Sequence, residues 1–142
     1  MLRLSLIILM LLVSPAFAQI KITWETLADV SFTDKWSEEE QGYYYYPHFG
    51  PRVKAMRNKE IFLRGYMLPL EPEEGFYVLS KNPYASCFFC GSGGPETIAQ
   101  IRFKPGHPKF KMDQIVTVKG ILKLNKDDVY TCNYLIDEAE VF

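Results

Sequence analysis

The stretch Gln114-Ile115-Val116-Thr117-Val118-Lys119-Gly120-Ile121-Leu122-Lys123-Leu124 decides the fold class. Ile115, Val116 and Val118 come before Gly120, and Ile121, Leu122 and Leu124 follow it. Branched apolar residues at this density suit a pleated, half-buried strand. An internal glycine marks a point where a barrel strand can bend. Glu60-Ile61-Phe62-Leu63-Arg64-Gly65-Tyr66-Met67-Leu68-Pro69-Leu70 has the same character, with Gly65 in the middle.

Working outward, Asn125-Lys126-Asp127-Asp128 is a turn, and Val129 to Phe142 returns as a last strand region. Lys104-Pro105-Gly106-His107-Pro108 is another turn. Before it, Ala99, Ile101 and Phe103 alternate, which favours a strand over Thr97–Phe103, although Ile98 and Ile101 also fit a helical turn. Phe76-Tyr77-Val78-Leu79-Ser80 is a strand entered from the turn Glu71-Pro72-Glu73-Glu74-Gly75. Nearer the start, Ile20 to Trp24 reads as a strand or extended arm and Glu25 to Val30 as a short helical turn. Phe32 to Gly42 reads as a polar, acidic surface segment. Several strands, short turns and few helices predict a mainly β domain. A small OB-like barrel fits the strand count, and a small β-sandwich is the alternative.

Tyr43-Tyr44-Tyr45-Tyr46-Pro47-His48-Phe49-Gly50-Pro51 is unusual. Four consecutive tyrosines cannot share one face of a strand. The expectation is an aromatic flap closing one end of the core, with a ligand-stacking surface as the alternative.

The first eighteen residues stand apart. Met1-Leu2-Arg3 is a positive start, Leu4 to Val13 is apolar, and Ala16-Phe17-Ala18 is a small-residue cleavage site. This is the pattern of a signal peptide, too short to be a spanning helix, which needs about twenty residues. Cleavage near Ala18 would leave residues 19–142 as one exported domain, periplasmic or secreted, with no integral membrane segment. Loss of Arg3 takes the net charge from −1 to −2. A near-neutral domain has no electrostatic reason to hold nucleic acid.

Reactive side chains concentrate in Tyr84-Ala85-Ser86-Cys87-Phe88-Phe89-Cys90-Gly91-Ser92-Gly93-Gly94-Pro95-Glu96, expected at the mouth of the barrel. The spacing lets the Cys87 and Cys90 sulfurs meet. Four chemistries use such a pair: a disulfide clasp, a thiolate site for zinc or copper(I), a redox dithiol, and c-type haem attachment. Haem attachment requires His directly after the second cysteine, where this chain has Gly91. Redox work requires a lowered thiol pKa, often at a helix start, and Gly91-Ser92-Gly93-Gly94-Pro95 is a poor helix. Zinc needs further ligands. Glu96 and His48 are the leading candidates, with Cys132, His107 and Asp113 behind them. Cys132 otherwise reads as a buried core thiol and His107 as a solvated loop residue. The glycine run lacks the Gly-Lys-Ser/Thr ending of a phosphate loop. No Ser-His-acid triad or catalytic carboxylate pair emerges, which favours a non-enzymatic role.

Lys59-Glu60-Ile61, Gly65 to Leu70, Asn82-Pro83-Tyr84-Ala85-Ser86-Cys87-Phe88-Phe89-Cys90-Gly91 and Gly94-Pro95-Glu96 together carry a resemblance. With Tyr46-Pro47 and Val118-x-Gly120-x-Leu122, the chain from Trp24 to Val141 resembles a family of small exported bacterial proteins of unknown function. Some members are similar to lipoproteins encoded near ABC transporters linked to metals. The resemblance implies a metal-linked envelope role and a transporter or other envelope protein as partner. This chain departs from the lipoprotein type, because Gln19 and not Cys follows the expected cut. Cys132 lies outside the shared pattern. The combined expectation is a zinc-binding accessory or carrier. The rivals are a scaffolding module clasped by a Cys87–Cys90 disulfide and a dithiol redox protein.

Overall fold

The computed structural model describes residues 18–142. The expected signal peptide lies, apart from Ala18, outside the described residues. Among the described residues no helix is long and apolar enough to cross a membrane.

The described residues build two sheets. β1 (Val30–Ser37) and β2 (Gly42–Phe49) form an antiparallel hairpin of their own. β3 (Glu60–Glu71), β4 (Phe76–Ser80), β5 (Ile98–Phe103), β6 (Gln114–Leu124) and β7 (Tyr134–Val141) close into a barrel in the order β3-β4-β5-β7-β6. Every neighbouring pair is antiparallel except β5 with β7. Five strands closed in this order with one parallel pair make an OB-type barrel, so the barrel expectation holds and the sandwich does not.

The alternation in β6 explains its placement: Val116, Val118, Gly120 and Leu122 are buried while Ile115 is exposed. β3 is long enough to pair with β6 along Glu60–Met67 and with β4 from Tyr66 onward. Gly65 sits where these pairings hand over. A Cβ there would lie 2.6 Å from the Ser80 carbonyl oxygen. At Gly120 it would lie 2.6 Å from both Asp137 O and Ile136 Cγ2. Both glycines are therefore required by close backbone approach.

Ile61, Leu63, Met67, Leu79, Ile101 and Ile136 fill the barrel. α1 (Trp24–Leu27) and α2 (Pro51–Met56) add Leu27 and Val53 to the same core. The Tyr134 hydroxyl, fully buried, donates to the Leu27 carbonyl at 2.6 Å. Lys21 makes an isolated bridge with Phe62, so the N-terminal arm is extended as expected.

The segment 32–42 lies on the surface as expected, and there it carries most of β1 and the hairpin turn. Two expectations change. The tyrosines are not a closed flap. Pro47 is buried and Phe49 packs on Tyr134 at 5.7 Å between ring centroids, but Tyr43 and Tyr45 are 73% and 61% exposed. His107 is not simply solvated. It stacks on Phe103 at 4.7 Å, with Tyr77 and Phe110 completing the aromatic group.

Candidate functional site

The cysteine loop connects β4 to β5 and folds back onto the outside of the barrel. Tyr77 and Leu79 face the barrel core, so Val78 between them faces outward. Leu68 lies opposite Val78 on β3, and Ile98 opposite Ser80 on β5. Cys87 is fully buried against this outer apolar patch of Leu68, Val78 and Ile98. The pair therefore sits on the outer face of β3, β4 and β5, not at the barrel mouth. Burial of Phe88 and Cys87 on that patch supplies the driving force that holds the loop down.

Local geometry brings the sulfurs together. Tyr84–Ser86 and Phe88–Cys90 are short 3-10 turns joined at an extended Cys87. Gly91 then takes a left-handed conformation with φ 83°, which a side chain would resist. The Cys90 and Ser92 amides both donate to the Cys87 carbonyl at 3.1 Å. The Cys90 thiol donates to the Tyr84 carbonyl at 3.0 Å. An Asp113 carboxylate oxygen accepts the Tyr84 amide at 2.7 Å and ties the loop to the start of β6.

Cys90 is exposed, and all three cysteines carry free thiols. Desolvation, followed by the Cys87 sulfur beside it, pushes the Cys90 thiol above its ordinary range. Two adjacent thiols resist double ionisation unless a cation shares the charge. Cys132 packs against the same outer patch as Cys87. Burial pushes its thiol up to about 11. The raised pKa values of Cys90 and Cys132 are the opposite of what an attacking redox thiol requires.

The other expected ligands do not converge on the pair. His48 lies on β2, where its Nε2 is 2.9 Å from Thr33 Oγ1 and its ring packs edge-on to Tyr46. The Glu96 carboxylate folds back over Gly94 and acts electrostatically on Tyr134. Asp113 is engaged with Tyr84, and His107 Nδ1 is 2.9 Å from the Pro108 carbonyl. Among the described residues no three His, Cys, Asp or Glu side chains come together as a metal-ion cluster. The donor set is a dithiol.

Beside this loop lies an apolar cleft of about 240 Å³ that includes Phe76, Phe88, Phe89, Tyr44 and Tyr130. The hairpin tip reaches it, and the Tyr130 hydroxyl donates to Glu40 Oε1 at 2.5 Å. Sequence reading missed Tyr130. Its partner is 90 positions away, and no local pattern announces such a contact.

The chain is an OB-type barrel that carries a dithiol loop on its outer face. The chain is similar to a crystal structure of a DUF3299 family protein from Pseudomonas aeruginosa PAO1, at 19% identity and a TM-score of 0.55. The match covers 88% of this chain and 97% of the other. At that identity the likeness shows the fold, and the neighbour itself comes from a family defined by unknown function. No protein-family model and no curated protein matches the chain.

Proposed function

We propose that this is an exported, non-enzymatic accessory protein that carries a soft or borderline metal ion, zinc foremost, on Cys87 and Cys90. The observation behind this reading is the juxtaposition of the two sulfurs in a turn closed by left-handed Gly91. Thiolates select zinc and copper(I) over harder ions. Zinc completes four ligands, and the described residues bring two together, so water or a partner's side chains supply the rest. An incomplete site suits a carrier better than a permanent structural centre, because the ion can be passed on. A metal transporter or another envelope protein is the partner this reading calls for.

The experiment is metal analysis of protein purified without added metal, set against Cys87→Ser/Cys90→Ser. The double variant should lose most of the bound metal. Equal content in both would end the reading.

The exposed rings of Tyr43 and Tyr45 favour a second reading. Here the chain is a binding module, and a Cys87–Cys90 disulfide formed by an oxidant of the export compartment clasps the loop. Intact mass with and without reductant separates the two, since one bridge changes the mass by about 2 Da.

A further inference from the structure

The hairpin of β1 and β2 is a two-stranded sheet outside the barrel. Its register places Phe32, Trp36, Tyr43 and Tyr45 on one face. Phe32 meets Tyr45 and Trp36 meets Tyr43 edge-to-face. Trp36, Tyr43 and Tyr45 are nevertheless 43%, 73% and 61% exposed. A small hairpin gains little by leaving such area in water, and exposed apolar patches of this kind mark contact surfaces.

The hairpin tip leans on the β6–β7 loop through Tyr130 and Glu40, and two clefts open along that line. The apolar one lies over the outward residues Phe76 and Ile98 of β4 and β5. The other, of about 520 Å³, is walled by Trp36, Tyr44 and Tyr130 with Glu39, Glu40 and Asp127. The two share Tyr44, Asp128, Val129 and Tyr130, so they form one groove. β4 and β5 are the second and third strands of the barrel, and the β6–β7 loop joins the fourth to the fifth. That is the side on which OB-type barrels receive ligands.

Charge decides the occupant. Four carboxylates, Glu39, Glu40, Asp127 and Asp128, line the groove, against one ammonium, Lys126. None of the four enters an ion pair among the described residues. A polyphosphate would be repelled here, which removes the nucleic acids that many OB-type barrels bind. Aromatic faces flanked by carboxylates attract ammonium and guanidinium groups. We propose that this groove binds a polypeptide segment of a partner protein that alternates lysine or arginine with apolar side chains. The apolar side chains enter the cleft over Phe76 and Phe88. The cations lie between Tyr130, Trp36 and the carboxylates. This inference does not depend on the metal reading.

The test uses the mature chain and a fluorescent synthetic peptide of alternating lysine and leucine, followed by anisotropy. Controls are glutamate–leucine and lysine–serine peptides. The lysine–leucine peptide should bind, and more weakly as salt is raised. Tyr45→Ala/Tyr130→Ala should cost at least about tenfold in affinity. Glu39→Gln/Asp127→Asn, conservative changes at exposed carboxylates, should reduce the salt dependence while the melting curve stays as in the parent. Equal binding of the glutamate–leucine peptide, unchanged affinity in both variants, or strong binding of lysine–serine would each overturn the proposal. So would sedimentation showing that the chain alone self-associates in a way that these variants abolish, because the occupant would then be a second copy.

Discussion

At Gly120 the fold depends on a missing atom. An added Cβ would meet a backbone carbonyl and a branched side chain at 2.6 Å, and neither is the free end of a flexible chain. Gly120→Ala should therefore cost about 1–3 kcal/mol in urea unfolding, as overpacking does elsewhere. Sequence reading located this glycine and its bend, because strand composition on both sides is unmistakable. It did not locate the partners of the cysteines. His48 and Glu96 are attractive by residue type, but hydrogen bonding and chain direction take them elsewhere. Cys132 reads from sequence as a buried core thiol in a strand, whereas it is half-buried in the loop before β7, against the outer patch. Its folded pKa, about 11, lies above the ordinary thiol range. Above that ordinary range the unfolded chain loses the proton first, so the unfolded state gains and stability falls as pH rises toward 11. Cys132→Ala should flatten that alkaline loss, measured by denaturation at pH 8, 9.5 and 11.

At the level of elements, the barrel strands were legible and the hairpin was not. β3, β4 and β6 announce themselves through branched and aromatic runs bounded by Gly and Pro turns. β1 contains Thr33, Asp34, Lys35 and Ser37, and none of its residues is fully buried, so its composition matches a surface loop. It forms a strand because the tyrosines of β2 pair with it across the hairpin. The cysteine loop likewise depends on a distant residue. Asp113 holds the Tyr84 amide and has a left-handed φ of 63°. Asp113→Gly keeps that backbone conformation and removes only the carboxylate. Amide hydrogen exchange from Tyr84 to Cys90 should quicken, and Cys87 should alkylate faster. The barrel itself should lose no more than about 0.5–1.5 kcal/mol.

For the whole molecule, the closed order β3-β4-β5-β7-β6 gives a rigid base, and both candidate features lie on its outside. The dithiol loop covers the outer face of β3, β4 and β5, and the aromatic groove runs beside it. A barrel leaves its outer face free for such attachments once its interior is filled. The location of that face followed from strand register, which only the assembled sheet reveals. Metal uptake by the dithiol requires loss of thiol protons, so affinity should rise between pH 6 and pH 8.

The most direct measurement is X-ray absorption at the zinc edge on the zinc-loaded chain. Two sulfur neighbours at about 2.3 Å are expected, with nitrogen or oxygen completing the shell. A shell without sulfur, or an unchanged spectrum in Cys87→Ser/Cys90→Ser, would contradict the dithiol reading.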